Sequence, residues 1–249
     1  MVSTRLLFVT ALLALWAACD GAVSCHEKTV HINSLQTFKE LHNCSVKQAY
    51  AVNIELECDL DFSQWGEDYL PFGQSKSGYA YPYSGVFNGN GHTISNLVIN
   101  RTSGSGEDAG LFARMENAAV SNLFFESSCL FRGAFAAPLV VSMGGDNNTI
   151  VNVNSEARVE GCAVAGGIVA RLFLSSQSSV LIERCRNTGN VTVAMERSMQ
   201  WYSAGGIVGY AFYDLDSAGL SQQRGHQHLG LDGRTRSGLW LRWRYCELW

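Results

Sequence analysis

The sequence is poor in proline and in charged residues. Only 3 of its 249 residues are Pro and 16% are charged, whereas 25 are Gly and 47% are hydrophobic. This balance argues against an intrinsically disordered chain, because disorder goes with low hydrophobicity and high charge. Many glycines with few prolines are typical of a β-rich chain, since proline is excluded from central strands.

Long apolar runs and paired cysteine motifs are also scarce. The run Leu6–Ala18 follows Arg5 and precedes small residues, and it is too short for a comfortable membrane span. It predicts a secretory signal peptide over residues 1–24, and hence a secreted or cell-surface protein without a membrane span. No C-x-x-C motif occurs, which argues against zinc or redox chemistry. We therefore expect no metal and no cofactor.

Positive charge is lacking outside the C-terminal tail. Residues 25–216 contain 12 basic and 19 acidic residues, a balance of −7, which disfavours nucleic acid as a partner. Residues 217–249 instead carry five Arg, two acidic residues and no Ile, Val, Phe or Asn. A truncated gene or a shifted reading frame from about residue 216 explains this change, and a genuine basic tail that binds a partner is the alternative. The first explanation makes residues 214–249 a disordered or out-of-frame tail.

The chain repeats itself between residues 83 and 213. A glycine or proline followed by two apolar residues recurs at Gly85-Val86-Phe87, Gly110-Leu111-Phe112, Pro138-Leu139-Val140, Gly167-Ile168-Val169 and Gly206-Ile207-Val208. A second signature follows the first four, at Ile94–Leu97, Val120–Leu123, Ile150–Val153 and Ile182–Cys185. Internal repeats of about 30 residues are typical of solenoids, in which each repeat buries its apolar face only against its neighbours.

We interpret each repeat as two short strands separated by polar turns. Stacking would place Ile94, Leu97 and Ile99 in the core, directly below Val120, Leu123 and Phe125. The Asn within the first three of these signatures (Asn96, Asn122, Asn152) would form a bend, because Asn tolerates the left-handed backbone region. Stacked Asn amides could then hydrogen-bond along the axis of the stack.

Residues 25–82 have a different pattern and predict a small α+β cap. Asn33 and Gln36 are spaced as a variant of a capping box, ahead of a helix that ends near His42. An alternating strand follows over residues 51–58. A cap of this kind would protect the first edge of the stack.

The assembled motifs resemble the GLUG-repeat family of secreted and surface proteins. The family's order of motifs is present here as Asp59-Leu60-Asp61, Trp65, Pro71-Phe72-Gly73 and the segment Gly85–Ile94. The sequence departs from the pattern at Ala137-Pro138, where a glycine pair is expected, and throughout the tail. The resemblance implies an all-β fold, a right-handed parallel β-helix or solenoid. It implies no catalytic residues.

The turn Asn88–His92 separates two runs of β-forming residues, and this local pattern is typical of a β-hairpin. It could be a catalytic loop with His92 as a base, or a simple connector. No phosphate-loop Lys-Ser/Thr follows the glycines, which excludes that kind of site. Equivalent turns in later repeats lack a histidine, so we predict a structural turn in which both glycines take positive φ.

The carboxylates of Asp59 and Asp61 lie two residues apart and so share one face of a strand. They could bind Ca²⁺ or act as an acid and a base. The alternative, which we favour, is a strand end whose acidic side chains cap turns. No catalytic residue and no metal ligand is therefore assigned.

Aromatic residues concentrate in the loop-rich span that precedes the repeats. They are Trp65, Tyr69, Phe72, Tyr79, Tyr81 and Tyr83. Aromatics in long loops can stack on sugars or contact proteins, which makes Trp65, Tyr69, Tyr79, Tyr81 and Tyr83 a candidate ligand-contact loop. The alternative is a loop that folds over the helix and closes the cap.

Secretion would give the sequons and cysteines a role. Four glycosylation acceptors are predicted, namely Asn43, Asn100, Asn147 and Asn190. The disulfide candidates are Cys25, Cys44, Cys58, Cys162 and Cys185. Cys185 aligns with the inward column of the repeats, so it is either a buried core thiol or the partner of Cys162, one repeat earlier.

Three functions compete on this evidence. The leading hypothesis is a non-catalytic, secreted or surface-displayed solenoid for adhesion or scaffolding, with a protein or carbohydrate ligand at the cell surface. A carbohydrate-active enzyme of the pectate-lyase-like β-helix type would need acidic residues clustered on one face. The acidic residues of the repeats are few and do not recur at equivalent positions. The third hypothesis is that the chain is a truncated fragment of a larger surface protein.

Overall fold

The computed structural model describes residues 27–45, 51–65, 69–74, 81–101, 108–194 and 202–213. The predicted signal peptide, the tail from residue 214, Cys25 and Tyr79 lie outside these residues. One α-helix, α1 (Leu35–Ser45), and one 3-10 turn, Phe62–Gln64, are described.

The strands follow in chain order as β1 (Thr29–Ile32), β2 (Asn53–Leu56), β3 (Leu60–Asp61), β4 (Val86–Asn88), β5 (Thr93–Ser95), β6 (Val98–Asn100), β7 (Asp108–Ala109), β8 (Phe112–Glu116), β9 (Ala119–Phe125), β10 (Leu130–Ala136), β11 (Val140–Gly144), β12 (Asn147–Ser155), β13 (Arg158–Gly166), β14 (Val169–Leu174), β15 (Ser179–Glu183), β16 (Arg186–Asn187), β17 (Val191–Val193), β18 (Ser203–Gly205) and β19 (Val208–Tyr213).

These strands form three parallel sheets. Sheet I has the order β1-β2-β4-β9-β12-β15, with β3, β5 and β16 alongside. Sheet II has the order β17-β13-β10-β6 with β7 and β18, and sheet III the order β19-β14-β11-β8. Each turn of the chain visits sheet III, then sheet I, then sheet II, as β8, β9 and β10 do. The fold is a parallel β-solenoid, as the repeats predicted.

The core lies between the three sheets and is built from columns of stacked side chains. The longest column runs through six strands of sheet I in direct register, from Val30 through Ile54, Phe87, Val120 and Ile150 to Ile182. All six side chains are at most 3% exposed. Each strand alone is too short to bury its apolar face, so the stacking of turns supplies the burial.

Asparagines form the sharp bend inside sheet I. Asn122 and Asn152 both have φ of 55°, in the left-handed region. The Asn152 Nδ2 donates to Asn122 Oδ1 at 2.9 Å, and Asn122 Nδ2 donates to Asn88 Oδ1 at 3.1 Å. The predicted bend and the predicted amide bonds along the axis are therefore confirmed. In the next turn Arg184 occupies the same position with φ of 54°.

The predicted alignment of the first repeat is wrong. Val120 pairs with Phe87, whereas Ile94 pairs with Phe125. Asn88 pairs with Ser121, and Thr93 pairs with Phe124. The segment between Asn88 and Thr93 is two residues longer than the segment between Ser121 and Phe124. Asn96 therefore bends a later corner, although its φ is also 55°.

The first signature is displaced in the same way. Gly85-Val86-Phe87 lies in sheet I, and Phe72 rather than Phe87 bridges to Phe112 at the start of sheet III.

Each turn contains three strands rather than the predicted two. The unpredicted strands, β10 and β13, form the centre of sheet II, where they pair with each other along almost their whole length. Their ends are rich in Gly and Ala, without the alternation that marks a strand. The small residues are required where sheets II and III meet. A Cβ added to Gly166 would lie 1.8 Å from the Val169 carbonyl oxygen.

The N-terminal cap joins the solenoid directly. Strand β1, which was not predicted, pairs with β2, and β2 pairs with β4. Helix α1 is capped by Ser34, whose Oγ accepts a hydrogen bond from the Thr37 amide at 3.1 Å. The N-cap is thus one residue later than the capping box around Asn33 suggested. Phe38 and Leu41 of the helix are fully buried.

Candidate ligand-contact surface

The aromatic span before the repeats is largely part of the core. Tyr69 and Tyr83 are 1% and 0% exposed, and their hydroxyls donate to the Leu111 and Val52 carbonyls at 3.0 and 2.9 Å. They have no free surface, so of the two alternatives these side chains fit the loop that closes the cap rather than the ligand-contact loop. Trp65 is half-buried and stacks on Phe62 with centroids 5.3 Å apart. Tyr81 is half-buried, and Tyr79 lies outside the described residues.

A buried histidine inside the cap was not predicted. The ring of His42 lies 5.1 to 6.0 Å from the rings of Trp65, Tyr69 and Phe72. Its Nε2 lies 2.7 Å from the Leu70 carbonyl oxygen. Burial lowers the pKa of His42, because the charged imidazolium is poorly solvated there. This histidine therefore serves the packing of the cap.

The turn Asn88–His92 is tight but is not a hairpin, since β4 and β5 both pair with β9 and not with each other. Asn90 and Gly91 have φ of 51° and 82°, and the His92 amide donates to the Gly89 carbonyl at 2.8 Å. Gly89 does not have positive φ, contrary to expectation. Its Cβ would instead lie 2.2 Å from the Asn122 carbonyl oxygen.

His92 has an acidic partner, Asp59. The Nδ1 of His92 lies 3.1 Å from Asp59 Oδ1, which also accepts a hydrogen bond from the Thr93 amide at 2.8 Å. The Thr93 amide is the main cause that lowers the pKa of Asp59, and His92 adds to it. Asp59 thus links β5 to the preceding turn of the solenoid.

The carboxylate of Asp61 also accepts hydrogen bonds that hold the local backbone and an adjacent turn. Asp61 accepts hydrogen bonds from the Ser63 amide at 2.9 Å and from Asn96 Nδ2 at 2.8 Å. The bond from Asn96 is the first cause that lowers the pKa of Asp61. Within the residues that the structure describes, no group of three or more His, Cys, Asp or Glu side chains could hold a metal ion.

The disulfide candidates separate into two groups. Cys44 is disulfide-bonded, and Cys25 lies outside the described residues. Cys58 carries a thiol, and of the two alternatives for Cys185 the bridge to Cys162 does not form. Cys185 is instead 1% exposed in the Leu123–Val153 column, and its thiol donates to the Glu183 carbonyl at 3.5 Å. The register of β15 and β16 fixes this inward position.

The four predicted glycosylation acceptors, Asn43, Asn100, Asn147 and Asn190, are all exposed. Their use as acceptors stays a prediction.

The outer face of sheet III presents two columns of side chains. One column consists of Arg114, Ser142, Arg171 and Tyr210, which are paired in register. The other consists of Glu116, Gly144, Phe173 and Phe212. Phe173 and Phe212 are 43% and 41% exposed, and their ring centroids lie 6.4 Å apart. Such a pair of exposed rings is the most conspicuous apolar surface among the described residues.

Arg171 connects three successive turns beside these rings. Its Nη2 donates to Ser142 Oγ at 2.7 Å and lies 3.4 Å from Asp108 Oδ1. Its guanidinium also lies 3.6 Å from the centroid of the Phe135 ring, a cation–π contact. Burial raises the pKa of Asp108 to about 6, although Arg171 and then Arg101 oppose the shift. No sequence pattern pointed to this pair, because its members lie 63 positions apart in the chain.

Acidic residues elsewhere on the turns are used in ion pairs. Glu160 on sheet II contacts both Arg132 and Arg158, and Glu116 on sheet III contacts Arg114. These contacts join neighbouring strands or neighbouring residues of one strand. Among the described residues α1 is the one α-helix, and its 11 residues are too few to span a membrane.

Comparison with known proteins finds one partial sequence match and one distant structural similarity. No family model matches the chain. A stretch of 145 residues is 28% identical to halomucin of Haloquadratum walsbyi, which covers 55% of this chain and 2% of halomucin. A crystal structure from Bacteroides ovatus, described as a candidate immunoglobulin A1 protease, is similar with a TM-score of 0.49 and 15% identity. That similarity covers 74% of this chain and 61% of the other. The chain thus spans less than two thirds of either protein.

Proposed function

We propose that this protein is a secreted or cell-surface β-solenoid of the GLUG-repeat kind that binds a ligand and carries no catalysis. The observation that carries the proposal is the exposed pair Phe173 and Phe212 beside Arg171 and Tyr210, on a regular sheet face. Exposed aromatic and arginine side chains on a rigid sheet suit adhesion to a protein or a carbohydrate.

Several features support the extracellular location. The apolar segment Leu6–Ala18 follows Arg5 as a signal peptide would, and the acceptor asparagines of the four sequons are exposed. The disulfide at Cys44 suits an oxidising compartment. The likeness to a stretch of halomucin, a protein named as a mucin, points in the same direction.

The role without catalysis rests on how the acidic residues are used. Asp59 and Asp61 accept hydrogen bonds that hold adjacent turns, and Glu116 and Glu160 pair with arginines. A pectate-lyase-like enzyme would need acidic residues left available together on one face.

The proposal is tested by expressing the full chain in a eukaryotic secretory host. We expect protein in the medium, a mass that falls on enzymatic removal of N-glycans, and retention on a panel of immobilised glycans and cell-surface proteins. The double variant F173A/F212A should lose that retention while its melting temperature stays within about 2 °C, because both side chains are exposed. Depolymerisation of a polysaccharide by the pure chain, or binding unaffected by the double variant, would contradict the proposal.

A further inference from the structure

The outer face of sheet III is interrupted by a glycine. Gly144 lies between Glu116, its partner in β8, and Phe173 in β14. Because Gly144 has no side chain, the face has a notch there. We define the Gly144 notch by its floor, Gly144, its two walls, Glu116 and Phe173, and the adjacent hydroxyl of Ser142.

The notch is open rather than filled by neighbouring atoms. Among the described residues, a Cβ placed on Gly144 would meet only the Phe173 Cβ within 4 Å, at 3.9 Å, which is ordinary van der Waals contact. Its walls are separated by two strand spacings, roughly 10 Å between backbones. A single sugar ring fits a space of this width.

The walls of the notch differ in chemistry. Phe173 offers an exposed aromatic ring on one side. On the other side, Glu116 offers a carboxylate that contacts Arg114, and Ser142 lies between. A pyranose has the matching character, with one apolar C–H face and a rim of hydroxyls. The Phe173 ring would stack on the C–H face of the sugar. The Glu116 carboxylate would accept hydrogen bonds from the sugar hydroxyls, and the Arg114 guanidinium would donate hydrogen bonds to them.

The charges around the notch are balanced. Arg114 contacts Glu116, and Arg171 lies 3.4 Å from Asp108, so both arginines in the described strands of this face have their own anion. Such a face offers no net electrostatic attraction to a sulfate or a uronate. Binding of either anion would break an existing ion pair.

Resting on the proposed ligand-binding function, we infer that the Gly144 notch binds a ring of a neutral oligosaccharide.

The test uses the full chain on an array of neutral, sulfated and uronate-containing oligosaccharides, followed by calorimetric titration with the neutral oligosaccharide that gives the strongest signal. Wild-type protein should prefer neutral oligosaccharides. Gly144→Leu should weaken binding at least tenfold while its melting temperature stays near that of wild type, because the Cβ of the new side chain makes only ordinary van der Waals contact. Phe173→Ala should weaken binding to a similar degree.

Val98→Ala is the matched control, since Val98 is an exposed apolar residue of sheet II that is 40% exposed. It should leave the affinity unchanged. Binding by Gly144→Leu at wild-type strength, selection of only acidic oligosaccharides, or no oligosaccharide binding at all would each overturn the inference. The proposed function would survive any of these results if the intact chain still bound cell-surface proteins or other glycans through Phe173 and Phe212.

Discussion

Replacing Arg184 with Asn should stabilise the solenoid. Arg184 occupies the corner that Asn122 and Asn152 fill in the two preceding turns, with φ of 54° against 55° for both asparagines. The left-handed region costs an ordinary residue about 1–2 kcal/mol, and Asn enters it several-fold more readily, so relief should contribute about 1 kcal/mol. A new amide bond to Asn152 Oδ1 would add about 0.5 kcal/mol at this exposed position.

The expected gain of about 1–1.5 kcal/mol corresponds to a rise of about 3–5 °C in melting temperature for a domain of this size. Calorimetry of three variants separates the causes. Arg184→Gly relieves φ without adding the amide and should gain less. Arg186→Asn removes the same charge from an exposed strand position and should gain nothing. An equal rise for Arg184→Asn and Arg186→Asn would show a charge effect and refute the argument, as would no rise for Arg184→Asn.

Three further perturbations test the same structure. Because the folded-state pKa of Asp108 is raised to about 6 from 3.8, its proton is held more tightly in the folded protein. Wild type should therefore lose up to about 3 kcal/mol relative to Asp108→Asn as pH rises from 4 to 7, measured by urea unfolding, and a flat difference would contradict this. Gly89→Ala should cost more than the roughly 1 kcal/mol of Gly91→Ala, because only Gly89 faces a backbone oxygen at 2.2 Å; equal unfolding midpoints would contradict this. His92→Ala should cost less than about 1 kcal/mol and leave glycan retention intact, since its bond to Asp59 is exposed; lost retention would make the turn a site.

The strands that could be predicted are those that contribute large aliphatic side chains to the buried columns of sheet I. Val120, Ile150 and Ile182 share one column, and their β-branched or aliphatic character made the repeat visible. The Asn corners were predictable for a similar reason, because few residues accept left-handed φ. Strands β10 and β13 were missed because close approach of two sheets demands Gly and Ala, which carry no strand signal.

The register of the first turn could not be read from the sequence. The segment after Ile94 resembles the one after Val120, yet the two extra residues at the Asn88–His92 turn shift Ile94 to a later position in the solenoid. Similarity between two short sequence signatures does not show how many residues lie in the turn that precedes each of them.

The outer surface was predictable only in part. Phe173 and Phe212 occupy the same place in two repeats, and their recurrence outside the inward column could have been noticed. The contact between Arg171 and Asp108 joins residues 63 positions apart, and only the stacking of turns brings them together.

The reach of Arg171 over three turns has a mechanical consequence. A stack of turns pulled from one end would ordinarily peel one turn at a time, each under a similar load. Arg171 on β14 is tied to Ser142 on β11, one level below it, and to Asp108 on β7, two levels below it. The turn that carries Arg171 therefore cannot peel away without breaking contacts to both levels beneath it. A stack pulled from this end would resist to a higher force at this point and then unfold over a longer length of chain.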